Sequence, residues 1–364
     1  MTARGGSPTP DVPLRIGMLG AARIAPLSLL TPATITGDTV VALAARSPER
    51  ASAYAAEHGI PRVLDGYQAV IDDPEVEAVY NPLANGLHGP WNLRVVAAGK
   101  HLMTEKPSAA NATEARLIAD AVAAAGTVYL EAFHYPYHPL FQRVVALLAA
   151  GAIGEVVHID VPLLMPDPGA DDPRWVFALA GGSTMDLGCY SLSCLNLLGE
   201  RFCGGPVAIG SATATERPGA PGVDESLFFS GAFPSGATCS GGSSMVADGW
   251  SFTLVITGTD GEIVVPRFPL PNEDDRLILR HTPSPARART RVADADDLVT
   301  ERAGDVVEHL GTRSSYTYQL EAFHAAVRSG APVVTDAEFS VRTMLSVDAA
   351  YAAAGLPPRP TTSI

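Results

Sequence analysis

The feature that most constrains the fold is the alternation, over residues 14–131, of short apolar runs with longer segments rich in Ala, Leu, Glu and Arg. This alternation is typical of βαβ units, in which helices cover a parallel sheet. We therefore expect an α/β protein that begins with a doubly wound parallel sheet. The predicted strands are residues 14–19, 39–45, 76–81, 101–104 and 127–131, and the predicted helices are residues 23–30, 48–58, 88–98 and 112–125.

The pattern changes after residue 132. A helix, a strand and a second helix, predicted at residues 139–150, 155–163 and 184–198, are followed by short strand-like runs with Gly, Pro and Asp at their turns. Consecutive strands without crossover helices predict an open, mainly antiparallel sheet in a second α/β domain over residues 132–364. The strand-like runs are residues 207–215, 226–233, 236–245, 251–257, 261–265 and 276–281, and the closing helices are residues 316–329 and 336–354.

Two segments fall outside this scheme. Residues 1–13 are polar, lack the apolar core of a signal peptide and are interpreted as a flexible leader. Residues 283–305 combine low hydrophobicity with mixed charge, which predicts a solvated loop or hairpin tip. The charged side chains of this second segment are Arg287, Arg289, Arg291, Asp294, Asp296 and Asp297.

Composition excludes several classes of protein. The chain is 47% hydrophobic and its net charge is −14, so nucleic acid is a poor partner. No apolar run reaches the ~20 residues that a membrane span needs. The cysteines form no CxxC pair and the histidines no HExxH cluster, so we predict core thiols, no metal site and a cytoplasmic protein. The cysteines are Cys189, Cys194, Cys203 and Cys239.

The first predicted strand leads directly into a GxGxxG/A pattern, Gly-Ala-Ala-Arg-Ile-Ala, in which Ala22 replaces the middle glycine. Such a turn presents backbone N–H groups and a helix N-terminus to a pyrophosphate. Alone, the degenerate pattern also fits an ordinary strand-to-helix turn. Its place in the first βαβ unit favours a dinucleotide-binding Rossmann domain over residues 14–131. The candidate cofactor residues in the turn are Gly20, Ala22, Arg23 and Ile24.

The end of the second predicted strand indicates which dinucleotide is bound. An acidic residue there would accept hydrogen bonds from a ribose 2′-hydroxyl, but this chain has Arg46 and Ser47, with Arg50 one helical turn further on. A guanidinium and a hydroxyl suit a 2′-phosphate. We therefore expect NADP(H) as the preferred cofactor and NAD(H) as a possible one. The alternative is that Arg46 is a solvated loop cation.

Further motifs follow the third and fourth predicted strands, at the sheet edge where doubly wound folds bind ligands. They are Asn-Pro-Leu-Ala-Asn-Gly-Leu-His at residues 81–88 and Glu-Lys-Pro at 105–107, with Glu-Ala-Phe at 131–133 and Gly-Gly-Ser-Thr-Met-Asp-Leu-Gly-Cys-Tyr at 181–190. Together these motifs resemble the Gfo/Idh/MocA oxidoreductases over nearly the whole chain. The resemblance implies that the cofactor lies beside Leu83, Asn85, His88, Glu105 and Lys106.

Asp186 and Tyr190 are four residues apart on a predicted helix, so their side chains share one face. By spacing alone they are also compatible with an acid that complements the helix dipole and a half-buried tyrosine. The resemblance implies that Asp186 holds substrate hydroxyls and that Tyr190 exchanges a proton with the reacting oxygen. We expect Lys106 to be the electrostatic partner of Tyr190 and to lower its pKa from about 10. Which of the two is the main proton donor stays open.

Two further residues are candidates for contact with the substrate. Arg174 lies in a segment that resembles the substrate side of the family, and either holds a hydroxyl or carboxylate or forms a surface salt bridge. Tyr135 lies in the run Phe-His-Tyr-Pro-Tyr-His-Pro, where the family often has Arg in place of Pro136. Packing at the domain junction is the alternative for each aromatic side chain of this run.

The sequence therefore predicts an NADP(H)-dependent oxidoreductase that acts on a sugar, polyol, vicinal hydroxy-ketone or dihydrodiol. Tyr190 in place of His resembles the branch of the family that includes glucose-fructose oxidoreductase and dimeric dihydrodiol dehydrogenase. The alternative is an NADP(H)-binding sensor or scaffold without catalysis, although such a protein has no need of a proton donor. The open second sheet also favours a homodimer or homotetramer.

Overall fold

The structure is a computed structural model that describes residues 12–282 and 289–364. Residues 1–11 of the predicted leader and residues 283–288 of the predicted solvated segment, including Arg287, lie outside the described residues. The described chain contains a five-stranded sheet and a nine-stranded sheet, with helices packed against both.

The first sheet is parallel, with the strand order β2-β1-β3-β4-β5. Its strands are β1 (Arg15–Leu19), β2 (Thr39–Ala44), β3 (Ala78–Asn81), β4 (His101–Thr104) and β5 (Tyr129–Glu131). Nearly every strand residue is buried, as expected where helices cover both faces, and the predicted doubly wound sheet is confirmed. Because the strand order reverses between β1 and β3, a crevice opens at the carboxyl ends of these two strands.

Five helices connect these strands: α1 (Thr31–Thr36), α2 (Pro48–His58), α3 (Tyr67–Asp72), α4 (Asn85–Ala97) and α5 (Ala112–Ala125). The helix predicted at residues 23–30 is displaced, because a π-helix at Pro26–Leu30 leads into α1 and leaves Arg23 in the turn. Helix α3 was not predicted, since six residues are too few to show a helical period.

The second sheet is mainly antiparallel, as predicted. Strand β6 (Val156–Leu164) lies in its middle and pairs in parallel with β9 and antiparallel with β11. The sheet ends at β7 on one side and at β14 on the other. The other strands are β7 (Ala208–Glu216), β8 (Asp224–Ala232), β9 (Thr238–Ser244), β10 (Ser251–Phe252), β11 (Leu254–Gly258), β12 (Glu262–Val265), β13 (Arg276–Arg280) and β14 (Val306–His309).

The helices of this half are α6 (Pro139–Ala149), α7 (Cys189–Phe202), α8 (Ala293–Val299), α9 (Ser315–Ser329) and α10 (Ala337–Ala353). A π-helix at Thr184–Gly188 precedes α7. Helix α9 returns to the first sheet, where Leu320 and Phe323 join the apolar cluster that contains Leu14 and Ile16. Burial of Leu320 and Phe323 therefore packs α9 against the N-terminal domain.

The prediction of a solvated loop over residues 283–305 is wrong for residues 289–299, whereas residues 300–305 form a mostly exposed turn as predicted. Helix α8 occupies residues 293–299, and Arg289 is buried. The guanidinium Nη1 of Arg289 donates to Oδ2 of Asp160 on β6 over 2.7 Å. A low-hydrophobicity pattern does not reveal that a distant buried carboxylate compensates the arginine charge.

The four cysteines are free and buried, so their interpretation as core thiols is confirmed. Among the described residues, no helix is long and apolar enough to cross a membrane. The same residues contain no group of His, Cys, Asp and Glu side chains that could hold a metal ion.

A buried ion pair fixes the C-terminal tail. Arg359, which is 1% exposed, donates from Nη2 to Oδ1 of Asp224 (2.6 Å) and from Nε to the carbonyl oxygen of Gly181 (2.6 Å). The other carboxylate oxygen of Asp224 accepts from the backbone N–H (2.8 Å) and the hydroxyl (2.6 Å) of Thr184, where the π-helix begins. The tail therefore holds the turn and the helix start that precede Asp186.

We predict that Arg359→Met lowers the free energy of unfolding by about 3–5 kcal/mol, because it leaves the Asp224 carboxylate buried without its cation. Urea unfolding followed by circular dichroism measures the change. The control is Arg116→Met, which removes an exposed pair with Glu338 and should leave the midpoint nearly unchanged. Equal midpoints for wild type and Arg359→Met would contradict the assigned role of the tail.

Candidate active site

A cleft of about 780 Å³ lies at the carboxyl edge of the first sheet, between that edge and the second domain. Of the residues predicted to contact substrate, Lys106, Arg174, Asp186 and Tyr190 line this cleft. The residues predicted to bind the cofactor all line it too, and they are Gly20, Ala22, Arg23, Ile24, Arg46, Ser47, Arg50, Leu83, Asn85, His88, Glu105 and Lys106. The fold therefore brings both predicted sets into one space.

The turn after β1 has the form of an anion-binding loop. Gly20 adopts a φ of +97°, and a Cβ atom at this position would lie 3.0 Å from Cδ2 of Leu83, so glycine fits where a side chain would be strained. Within the described chain, none of the N–H groups of residues 21–24 donates a hydrogen bond. These four donors are available to a pyrophosphate.

The end of β2 forms the far end of the cleft. Arg46 and Arg50 are exposed, and neither forms an ion pair with any described residue. Arg50 donates to the carbonyl oxygen of Ala21 (2.7 Å), which holds its guanidinium beside the turn. The hydroxyl of Ser47 caps α2 by accepting from the N–H of Arg50 (3.2 Å), and it donates to Glu49 (2.8 Å). Two unpaired cations and a hydroxyl therefore meet beside the turn.

His88 holds the loops that follow β3 and β4. Its Nδ1 lies 2.7 Å from the carbonyl oxygen of Pro107, and its Nε2 lies 2.8 Å from that of Leu83. Burial lowers the pKa of His88 to about 4, so the neutral ring donates to one carbonyl and lies against the other. Asn85 reaches the second domain, where its Nδ2 donates to the carbonyl oxygen of Ala180 (3.4 Å). Both side chains position the loops of the cleft.

Glu105 is buried at the end of β4 beside a residue that the sequence did not single out. The hydroxyl of Tyr80, on β3, donates to Oε1 of Glu105 over 2.7 Å. Burial raises the pKa of Glu105, although the Tyr80 hydroxyl and the charge of Lys106 act in the opposite direction. A buried hydrogen bond from β3 therefore anchors Glu105, the residue that precedes Lys106.

Asp186 is the centre of the charged part of the cleft. Its Oδ1 accepts from Nζ of Lys106 (3.1 Å) and its Oδ2 from Nε of Arg174 (2.7 Å). Lys106 also donates to the backbone carbonyl oxygen of Asp186 (2.6 Å). Burial opposes ionisation, but the two cations outweigh it and lower the pKa of Asp186 to about 2. Asp186 is therefore a permanent anion that fixes Lys106.

The ion pairs continue from Asp186 across the cleft. Arg174 lies 3.3 Å from the buried carboxylate of Asp172 through Nη1, and Nη2 of Arg23 lies 2.8 Å from the same carboxylate. Arg23 belongs to the turn after β1, whereas the other two residues belong to the second domain. A continuous chain of charges therefore joins the turn to Lys106. Of the two alternatives left open for Arg174, the structure contains the salt bridge.

Tyr190 is buried at the inner end of the cleft. Its hydroxyl lies 3.1 Å from Nε2 of His134, and Nδ1 of His134 lies 2.7 Å from the hydroxyl of Ser315. Burial lowers the pKa of His134 to about 3, so its ring is neutral. The rings of His134 and Tyr316 stack with their centroids 3.9 Å apart. No local sequence pattern identifies this partner of Tyr190, although His134 lies in the run Phe-His-Tyr-Pro-Tyr-His-Pro.

The expectation that Lys106 lowers the pKa of Tyr190 is wrong for this structure. Burial raises the pKa of Tyr190 well above its ordinary value, and the nearby Tyr316 and Glu105 add to the increase. Nζ of Lys106 donates to Asp186 and lies 5.2 Å from the centroid of the Tyr190 ring. Among the described contacts, Lys106 forms no hydrogen bond with the Tyr190 hydroxyl. Tyr190 is therefore a neutral phenol.

Tyr135 is wrong as a predicted substrate contact, because its side chain lies outside the lining of the cleft and is fully buried. Its hydroxyl is 3.0 Å from that of Ser193, and its ring packs behind Tyr190 with the centroids 6.2 Å apart. The alternative of junction packing is the correct one here. Other aromatic residues, for which no motif provided a signal, line the cleft instead, and they include Trp250, Phe252 and Tyr316.

Comparison with known proteins identifies the family. A model described as an oxidoreductase family with an NAD-binding Rossmann fold matches residues 14–133, and one for the GFO/IDH/MocA C-terminal domain matches residues 141–264. The chain is 36% identical over 345 residues to a D-xylose 1-dehydrogenase (NADP(+)) of Haloferax volcanii, covering 94% of this chain and 97% of that protein. It is 38% identical over 186 residues to a dTDP-3,4-didehydro-2,6-dideoxy-alpha-D-glucose 3-reductase of Streptomyces violaceoruber, covering 51% of this chain and 54% of that protein.

A solved structure shows the same fold. It is a 3-ketoreductase from Actinomadura kijaniata in complex with NADP and TDP-benzene, with a TM-score of 0.81 at 23% sequence identity. The match covers 94% of this chain and 98% of that one. By its two matched domains and its full-length relative, this chain belongs to the Gfo/Idh/MocA family of oxidoreductases.

Proposed function

We propose that this oxidoreductase depends on NADP(H) and moves a hydride between the nicotinamide and a CH–OH or carbonyl carbon of a sugar, polyol, vicinal hydroxy-ketone or dihydrodiol. The observation that carries the proposal is the convergence of Lys106, Asp186 and Tyr190 in a cleft that also contains an anion-binding turn. The D-xylose dehydrogenase and ketoreductase relatives support a sugar-like substrate. The presence of the Tyr190 phenol and the Lys106 ammonium in the same cleft argues against a non-catalytic sensor or scaffold.

The described residues fit a dinucleotide. Four unpaired N–H groups at residues 21–24 suit the pyrophosphate, and the unpaired guanidinium groups of Arg46 and Arg50 suit a 2′-phosphate. Arg46 is placed to meet that phosphate directly, while Ser47 and Arg50 shape the helix start beside it. NADP(H) is therefore the preferred cofactor, and NAD(H), which lacks the phosphate, remains usable through the shared turn.

The reaction needs a proton as well as a hydride. When bound, the nicotinamide supplies or accepts the hydride. We assign the proton to Tyr190. In reduction its phenol donates the proton to the substrate oxygen and becomes a phenolate, and in oxidation the phenolate accepts the proton of the substrate hydroxyl. Burial raises the pKa of this phenol and so keeps Tyr190 in the protonated form that the reduction needs.

Lys106 and Asp186 act as a unit in this proposal. The ammonium of Lys106 stabilises negative charge that develops on the substrate oxygen, and Asp186 holds the ammonium in place. Each carboxylate oxygen of Asp186 accepts one hydrogen bond from a cation and can accept another, so lone pairs remain for substrate hydroxyls. Burial lowers the pKa of Lys106, but Asp186 and the other acidic groups nearby together outweigh burial and raise the pKa. The lysine therefore remains protonated, which supports Tyr190 as the main donor.

We also propose that the protein is a cytoplasmic homodimer or homotetramer that associates through the open face of the second sheet. A second cavity, of about 710 Å³, lies on strands β7 and β8 and contains Thr213, Phe228 and Ser230. A half-exposed edge strand of this kind invites association. The four free thiols suit a reducing compartment. A monomer mass in light scattering at micromolar concentration would contradict the assembly.

We predict that Tyr190→Phe lowers kcat by about 100-fold or more and leaves NADPH affinity unchanged, because it removes the proton donor and keeps the ring. Steady-state kinetics and a fluorescence titration measure the two effects. The matched control is Tyr135→Phe, an equally buried tyrosine outside the cleft, which should retain turnover. Wild-type turnover in Tyr190→Phe would remove this residue from the mechanism.

We predict that Arg46→Ala weakens NADPH binding by about tenfold or more and changes NADH binding much less, because only NADPH carries the phosphate that the guanidinium would meet. Dissociation constants from nucleotide fluorescence measure both effects. Arg94→Ala removes an arginine outside the cleft and serves as the control. Equal losses for the two nucleotides would refute the assignment.

A further inference from the structure

We infer that Trp250 is a substrate-binding residue and that the substrate is an uncharged polyhydroxy compound with one apolar face. This inference rests on the proposed function and narrows it. It excludes sugar acids, sugar phosphates and nucleotide-diphosphate sugars as good substrates of this chain. Three observations carry it. The cleft has an apolar wall, an exposed indole lies on that wall, and each described cation that lines the cleft near the reaction centre is paired with a carboxylate.

One part of the cleft lining that the second domain contributes is apolar. We call this surface the apolar wall, and it consists of Leu163, Met165, Trp250, Phe252 and Leu270. Strand β10 pairs with the end of β6, which brings Phe252 opposite Leu163. The polar groups of Lys106, Asp186 and Tyr190 line the same cleft. The cleft therefore offers a ligand both hydrogen-bonding groups and an apolar surface.

Trp250 is the exposed member of the apolar wall. It is 49% exposed, whereas Phe252 is 4% exposed and Leu163 is 1% exposed. The two rings meet edge to face, with centroids 5.5 Å apart and an interplanar angle of 85°, so Phe252 supports the indole from the core. The indole N–H of Trp175 donates to the carbonyl oxygen of Gly169, but that of Trp250 has no partner among the described residues. Trp250 therefore offers a ligand both an aromatic surface and a free donor.

The charges around the reaction centre compensate one another. Lys106 and Arg174 both pair with Asp186, and Arg174 and Arg23 both pair with Asp172. An anionic substrate would gain little from cations whose charge is already compensated, and it would lie close to the carboxylates of Asp186 and Asp172. Such a substrate is therefore disfavoured at this end of the cleft.

The cations that remain unpaired are at the other end. Among the described residues that line the cleft, Arg46 and Arg50 are the arginines without a carboxylate partner, and both follow β2. The proposed function assigns that end to the cofactor. Among the described residues, a phosphate or carboxylate on the substrate therefore finds no unpaired cation near Lys106.

A neutral sugar or a cyclic diol fits both surfaces. Its hydroxyl groups can bond to Asp186 and Tyr190, while the C–H face of a sugar ring, or the π-face of a dihydrodiol, can lie against the indole of Trp250. The sugar and the cyclic diol share an uncharged ring with vicinal oxygens on one side. Their relative turnover distinguishes between them.

The experiment measures NADP⁺-dependent oxidation of a matched panel. The neutral members are D-xylose, D-glucose and trans-1,2-dihydrobenzene-1,2-diol, and the charged members are D-glucuronate, D-glucose 6-phosphate and dTDP-D-glucose. We expect kcat/KM for the best neutral member to exceed that for each charged member by about 100-fold or more. Whether xylose, glucose or the diol is best decides between a sugar and a dihydrodiol.

Variants of Trp250 test its role. Trp250→Ala should raise KM for the best neutral member about tenfold, equivalent to about 1.4 kcal/mol, and change kcat less than about threefold. Trp250→Phe keeps an aromatic face and should recover most of the affinity. Leu345→Ala, which removes an exposed apolar side chain on α10, is the control and should match wild type.

Three results would overturn the inference: a charged member as the best substrate, wild-type KM in Trp250→Ala, or NADPH binding without turnover of any neutral member. In each case NADPH binding and the NADP(H) assignment would stand. Failure of the wild-type protein to bind NADPH would instead overturn the proposed function on which the inference rests.

Discussion

The double ion pair of Asp186 with Lys106 and Arg174 is the interaction on which the rest of the site depends. It connects the edge of the parallel sheet to the second domain, and it fixes the ammonium that the proposed chemistry requires. Because the two cations lower the pKa of Asp186 to about 2, the carboxylate stays charged throughout the physiological range. Arg174 and Asp172 extend the same interaction to Arg23, so the anion-binding turn and the reaction centre belong to one electrostatic unit.

Buried polar contacts elsewhere hold this unit in place. The Asp224–Arg359 pair fixes the start of the π-helix that carries Asp186, and His88 fixes the loop that carries Lys106. Removing one partner of such a contact leaves a polar group without compensation in a low-dielectric interior, which makes each contact specific as well as stabilising. The reaction centre is therefore positioned by residues on both domains and by the C-terminal tail.

Short-range sequence patterns correctly predicted the features of the fold that depend on neighbouring residues. The parallel sheet, its phosphate turn and the antiparallel character of the second sheet follow from hydrophobic periodicity and turn residues. Contacts between distant segments left no such signal, and these include the buried pair of Arg289 with Asp160 and the hydrogen bond between His134 and Tyr190. Tyr135 failed as a substrate contact for the same reason, since neither the periodicity nor the motif distinguishes a side chain in the cleft from one behind it.

The central claim is that the cleft binds NADP(H) and uses it for hydride transfer. The most direct test is a fluorescence titration of the wild-type protein with NADPH and then with NADH, followed on the same sample by nicotinamide absorbance as sugars, diols and dicarbonyls are added. The account predicts tighter binding of NADPH than of NADH and turnover of an uncharged compound. Binding of neither nucleotide, or binding of NADPH with no turnover of any compound, would contradict it.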